Sequence, residues 1–386
     1  MNKINTIRKL PLFEGAEISW FAPLCDGDDD FLGHRNPAFK SSWENTSDIV
    51  KTADSLGFRN VLCPSSYQVG QDTLTFASAV APLTKKINLL TAIRCGEVHP
   101  PMLARALATL DHILKGRLTI NIISSDLPGT ELSSSQRYDR SREVIAILKQ
   151  AWTQEEIDFQ GEFYQIKLPA APVKPYQQNG GPLLYFGGYS PDGVDLCAEF
   201  CDVYLMWPET EFKLKNLMDV MTLKAASYKR TVKFGLRVHV IVRETEKEAR
   251  DYADSLISKL DIKMGTDIRN RAQDATSLGV ARQSQLREEA DEKYYVEPNL
   301  WTGIGLARSG CGAAIVGNPD QVVAKIEHYI EMGINSFIFS GYPHQKECEL
   351  FAKLVLPRLK TVSLPEVFGR MPKNIPNSPL ANGPRK

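Results

Sequence analysis

The sequence predicts a (β/α)8 TIM barrel. Strand-like apolar runs alternate with amphipathic helix-like runs along the chain, and eight such units can be traced. The length of 386 residues suits one barrel of about 250 residues enlarged by insertions. No GxGxxG turn follows the first strand, which speaks against a dinucleotide-binding half. Alternating β and α units make parallel strands, and eight of them close most economically on themselves. An open doubly wound sheet is the competing architecture.

Taken in order, residues 17–23 (EISWFAP) form the first strand, and a polar loop rich in Asp and Gly runs on to Asn36. Residues 43–56 carry apolar side chains at helical spacing. A short apolar strand at 61–63 and a helix at 74–83 come next. KINLLTAIR at 86–94 reads as a clear strand. Helix 102–114 and strand 118–123 (LTINII) follow, then a loop over 124–138 and a helix over 141–152. The second half repeats the beat with strands at 182–186, 202–207, 234–242 and 336–340. Helices at 193–200, 211–228, 246–260 and 319–332 separate them. Residues 262–298 break the pattern, with 13 charged residues and no apolar period. They read as an insertion between the seventh and eighth strands, and a lid over 262–308 ends in NLWTGIGLAR. The barrel domain is 1–364. A tail over 365–386, with five prolines, is expected to lie over a neighbour or stay mobile.

Composition narrows the function. Forty-six basic residues balance 46 acidic ones, without the basic excess of a nucleic-acid binder. No run approaches the ~18 apolar residues of a membrane helix. Seven cysteines without a CxxC pair read as reduced, packed thiols. Six histidines without an HxxxH or HExxH pair give no metal site. The N-terminus lacks the apolar stretch of ~7–15 residues of a secretion signal, so the expectation is a cytoplasmic protein.

Active sites of such barrels sit at the C-terminal strand ends. That rule selects Cys25 and Asp26, Arg94 to Gly96, Asn121 to Ser125, Gly187 to Ser190, Trp207 to Glu209, and Gly341 to His344. On the seventh strand Arg237 and His239 are two apart and share a face, whereas Leu236, Val238 and Val240 take the other. A buried Arg and His need either a carboxylate or an anionic ligand, and both readings stand. Gly187 to Ser190, with Pro191 opening a helix, is either a plain turn or a phosphate cradle. Residues 137–141 (RYDRS) read as a loop and helix cap.

Three blocks in order, FGLRVHVIVRET at 234–245, PNLWTGIGLAR at 298–308 and FSGYPH at 339–344, together with LYFGG at 184–188, resemble the bacterial luciferase-like monooxygenases. Within that family the resemblance is to the two-component alkanesulfonate monooxygenases, over about residues 17–360. It implies reduced FMN delivered by a separate NAD(P)H-dependent FMN reductase, with O2 as co-substrate. It also implies oxidation of an organosulfonate to an aldehyde and sulfite, in a homo-oligomer (dimer or tetramer). By resemblance, Arg237 and His239 contact sulfonate and oxygenated flavin, and Arg308 closes on the anion from the lid. Tyr342 and His344 form the polar pair at the last strand, and Trp207 is a wall of the substrate pocket. Asn121, Tyr138, Gly188, Tyr189 and Ser190 hold FMN, the last three at its phosphate. Cys25 stands where most members have a histidine, so it is counted with the substrate residues. The acidic loop 26–30 and the stretch 65–72 also depart from the family pattern. Acidic and amide groups there suit hydroxyls, which keeps a sugar sulfonate such as sulfoquinovose open as substrate. A non-sulfonate oxygenation, a deazaflavin-dependent hydride transfer and a non-catalytic flavin-binding protein are the other readings.

Overall fold

A computed structural model describes residues 15–25, 27–34, 36–260, 277–308 and 310–374. Four strands come first: β1 (Glu17–Phe21), β2 (Asn60–Cys63), β3 (Asn88–Arg94) and β4 (Leu118–Ile123). A small antiparallel hairpin, β5 (Glu156–Gln160) and β6 (Gln165–Pro169), stands apart. Then come β7 (Leu183–Phe186), β8 (Val203–Met206) and β9 (Lys233–Val242), short strands β10 (Tyr295–Glu297) and β11 (Leu300–Trp301), then β12 (Ala314–Gly317) and β13 (Ile334–Ser340). β1, β2, β3, β4, β7, β8, β9 and β13 pair in parallel, and β13 returns to β1. The barrel predicted from the alternating pattern is therefore closed, with eight strands.

Side-chain alternation sorts the residues of each strand. Ile18, Trp20, Val61, Leu89, Ile120, Leu184, Val238 and Phe339 point outward into the main core, beneath the surrounding helices. Leu62, Leu90, Leu183, Tyr185, Val203, Leu205 and Ile338 point inward and fill the lumen. Both faces are buried, as parallel sheets require. Glu17 is also inside, fully buried, accepting from the Tyr185 hydroxyl at 2.7 Å and the Ser336 hydroxyl at 3.1 Å. Burial pushes its carboxyl above the usual range.

The structure departs from the sequence reading in four places. Leu364, Val362 and Phe368 plug the N-terminal end of the lumen, and Asn179 and Arg370 tie the two segments together. The first ten residues set apart as tail therefore pack on their own barrel. The helix placed at 141–152 begins at Ser134, because Ser133 and Gln136 form a capping box. Ser141 is consequently a buried mid-helix residue and not a cap. Part of the insertion is ordered secondary structure: helix Leu278–Glu288 buries Gly279, Gln283 and Leu286. Residues 261–276 of the lid lie outside the described residues. Finally, β9 runs for ten residues and serves two neighbours on one edge. Lys233 to Leu236 pair with β8, and His239 to Val242 pair with β12. This extra strand anchors the returning end of the insertion against the site.

Candidate active site

The site grows from the inward face of β9. Arg237 is 8% exposed and its guanidinium donates to Ser340 Oγ at 2.8 Å. It also reaches the Val238 and Ile338 carbonyls at 3.3 Å and lies 4.5 Å over the Phe21 ring. It has no carboxylate partner among the described residues, so the ion-pair reading of this residue falls away. Burial lowers its pKa, against the smaller opposing pull of Cys311 and Tyr342.

Ser340 carries the contact on to His239, with Oγ 2.7 Å from Nδ1, and His239 Nε2 lies 3.2 Å from the Cys311 carbonyl. One tautomer satisfies every atom. Nε2–H donates to the carbonyl, Nδ1 accepts from Ser340, and Ser340 accepts from Arg237. Burial, then the charges of Arg237, His344 and Arg308, hold His239 well below the usual imidazole range. The ring is therefore neutral, and it stacks on Tyr342 with centroids 5.2 Å apart.

Tyr342 is 4% exposed, and burial raises its hydroxyl pKa against the pull of Arg308 and Arg237. His344 meets it edge-on at 5.1 Å. The backbone N–H and Nδ1 of His344 both reach Asp28 Oδ1, at 2.8 and 2.9 Å. Its Nε2 is buried with no partner among the described residues, a polar atom left for a ligand.

Arg308 comes down from the insertion. It donates to the Gly27 carbonyl and to Asp29 at 3.1 Å, and lies 5.2 Å over the Tyr342 ring. The insertion thus closes onto the first-strand loop. Trp207, expected from the resemblance to line the substrate pocket, packs against the insertion. A Cβ at Gly279 would stand 2.8 Å from its ring and one at Gly310 3.2 Å, so both glycines are required by its packing. Gly310 also has φ +88.

The expected flavin residues fall into two groups. Ser190 caps helix Pro191–Phe200 by accepting from Gly193 N–H at 3.1 Å, and donates to the Tyr138 hydroxyl at 3.0 Å. Gly188 sits beside them, where a side chain would strike the Phe186 ring at 2.8 Å. These residues stand at a helix N-terminus, the setting that favours a phosphate, with the Gly193 N–H taken by Ser190 and the Gly188 carbonyl by the Tyr204 hydroxyl. Asn121 lies on the inward face of β4, only partly buried. Tyr189 turns elsewhere: its hydroxyl accepts from Trp207 N–H at 2.6 Å, and its ring lies 6.3 Å from the Trp207 ring. Cys25 is partly exposed, and burial pushes its thiol up to about 12, so it is no thiolate. No cluster of metal-ligating side chains occurs among the described residues.

Sequence reasoning missed Ser340, Asp28, Asp29 and Cys311 as parts of this site. Ser340 had a signal, since it shares strand parity with Ser336. Asp28 and Asp29 belong to the acidic loop 26–30, whose carboxylates the sequence reading assigns to hydroxyl recognition. They are instead buried, and they hold His344 and Arg308. Gln71 is likewise engaged, donating to Ser41 and Thr46.

A closed barrel with this polar cluster at its C-terminal mouth belongs to a definable class. The chain is a member of the luciferase-like monooxygenase family, whose description, "Luciferase-like monooxygenase", matches residues 17–336, and it is a flavin-dependent monooxygenase of that type. It is 59% identical over 373 residues to the "Sulfoquinovose monooxygenase" of Agrobacterium fabrum, covering 96% of this chain and 97% of that one. It is 51% identical over 353 residues to the protein of the same name from Novosphingobium aromaticivorans, covering 90% and 97%. Among solved structures, long-chain alkane monooxygenase superposes with a TM-score of 0.74 at 18% identity, covering 96% of each chain. DmoA from Hyphomicrobium sulfonivorans gives 0.71 at 16%, covering 93% and 90%. At such identity these two speak for the fold alone.

Proposed function

We propose that this enzyme uses reduced FMN and O2 to cleave the carbon–sulfur bond of sulfoquinovose, leaving an aldehyde on the sugar and releasing sulfite. This replaces the alkanesulfonate reading that the motifs first suggested. The observation that carries the reaction type is Arg237, a buried cation without a carboxylate partner among the described residues, wired through Ser340 to a neutral His239. Likeness to two sulfoquinovose monooxygenases over nearly the whole chain supports the sugar. A separate NAD(P)H-dependent FMN reductase would supply the reduced flavin, and a homo-oligomer fits the family resemblance.

The bound flavin would supply activated oxygen; the chain supplies the rest. Arg237 and Arg308 offer planar forks to a sulfonate, whose oxygens accept hydrogen bonds from any side. The vacant Nε2 of His344 takes a hydrogen bond from a sugar hydroxyl or the cofactor. Neutral His239 would take up a proton by way of Ser340, and the protonated Tyr342 hydroxyl would donate one. The Arg308 loop, pinned on Gly27 and Asp29, excludes water while the reaction proceeds. Ser190, Gly188 and Tyr138 hold the phosphate.

The test is sulfite release with a flavin reductase, FMN, NADH and O2. Sulfoquinovose should be turned over in clear preference to octanesulfonate, methanesulfonate and taurine. Preference for an alkyl sulfonate would restore the alkanesulfonate reading. Arg237→Ala should abolish sulfite release with the fold intact; persistence at the wild-type rate would remove the anion site from β9.

A further inference from the structure

Arg94 ends β3, diametrically across the ring of eight strands from β9. By strand parity it points into the lumen with Leu90. It is 4% exposed and makes one long hydrogen bond, to the Asp126 carbonyl at 3.4 Å. Arg140, 5% exposed, donates to the adjacent carbonyl, Ser125, at 2.8 Å. Neither forms an ion pair among the described residues, and Nε of both is buried without a partner. Ser125 Oγ is buried and unpartnered as well. The two arginines share one rim: a Cβ at Gly96, two residues after Arg94, would stand 2.9 Å from the Arg140 side chain. Glu97 feels the charge of Arg94 but is exposed and forms no ion pair with it.

Two buried like charges on consecutive carbonyls, with no counterion among the described residues, are costly unless an anion arrives from outside. We infer that Arg94, backed by Arg140 and Ser125, is a second anion subsite that takes the negatively charged pyrimidine edge of the reduced flavin. The inference rests on the reduced-FMN reading above. A phosphate already has its own place beside Ser190, on the β7 side of the mouth. Asn121, inward-facing on the strand next to Arg94, adds a neutral amide to the same edge. Reduced flavin loses its N1 proton near neutral pH, and the resulting charge spreads over N1 and the C2 carbonyl oxygen. A guanidinium fork matches two adjacent acceptors of that kind. The consequence is a site that prefers the reduced cofactor to the oxidised one, so that spent flavin leaves.

Anaerobic titration of the purified protein with FMN and riboflavin, each oxidised and dithionite-reduced, tests this. Arg94→Met should weaken reduced FMN and reduced riboflavin about tenfold, as for loss of one charge-assisted hydrogen bond, and oxidised forms less than twofold. Arg94→Lys keeps the charge without the fork and should fall between; it serves as the test if R94M does not fold. Arg140→Met should move the same ratio, by less. Equal weakening of FMN in both redox states, with riboflavin spared, would assign the arginines to phosphate and overturn the proposal. An unchanged ratio in R94M or R94K would also overturn it. Because no sulfonate enters the assay, a wrong substrate leaves the result intact, whereas a wild-type chain that binds no flavin would overturn both readings.

Discussion

Ser340 places its hydroxyl 2.7 Å from His239 Nδ1, and that contact decides which imidazole nitrogen bears the proton. A serine that accepts from Arg237 and donates to His239 is a relay between a permanent cation and a neutral base. Its removal leaves Nδ1 without a donor and one Arg237 N–H without its acceptor. Ser340→Ala should lower kcat for sulfite release by about tenfold, the scale of one lost buried hydrogen bond, with a smaller change in KM. Steady-state kinetics on a variant of wild-type thermal stability check this; an unchanged kcat would make the relay structural only.

His239 also gives the protein a pH signature. An unfolded imidazole titrates near 6.5. In the folded chain burial first, and then the neighbouring charges of Arg237 and Arg308, push it well below that. The unfolded state then binds more protons, so stability is lost as pH falls from about 6.5 toward the folded value. The slope from this group approaches 1.36 kcal/mol per pH unit at most. His239→Gln should flatten the dependence of unfolding free energy on pH between about 5 and 6.5, as measured by urea denaturation. A wild-type slope in the variant would contradict it.

Asp28 and His344 form a second coupling, with two donors from one residue meeting one carboxylate oxygen. Both side chains are nearly inaccessible, at 1% and 2% exposure. Removing one partner of such a pair strands the other and costs about 3–5 kcal/mol. Asp28→Ala should therefore lower Tm sharply, whereas Asp28→Asn, which keeps an acceptor, should lose less. Calorimetry on the two variants ranks them, and equal losses would refute the coupling.

Gly279 tests the wall. A methyl group there would stand 2.8 Å from the Trp207 ring. Gly279→Ala should push the indole toward the cavity and raise KM for the sulfonate several-fold, at a stability cost of about 1–3 kcal/mol. Unchanged KM with unchanged Trp fluorescence would show that the ring has room to give.

The barrel was legible because its strands, even those of four residues, are apolar runs set one by one between amphipathic helices; Arg237 and His239 stood out as polar residues on one face of β9. What escaped was short or tertiary. β12 has four residues, and nothing in Ala314–Gly317 distinguishes it from a loop until β9 offers an edge. The acidic loop was legible as unusual, but its purpose was not. Asp28 and Asp29 meet His344 and Arg308 from more than 270 positions away, as the sequence separations of 316 and 279 state. Thus the sugar reading stands on the relatives, while the reason first given for it does not survive the hydrogen bonds.

Above the plug of Leu364 and Phe368 the lumen is filled by Leu62, Leu90, Tyr185 and Leu205. The barrel is a solid pedestal and not a pipe, so ligands come and go at its mouth alone, and a change such as Phe368→Ala should cost stability while leaving that traffic untouched.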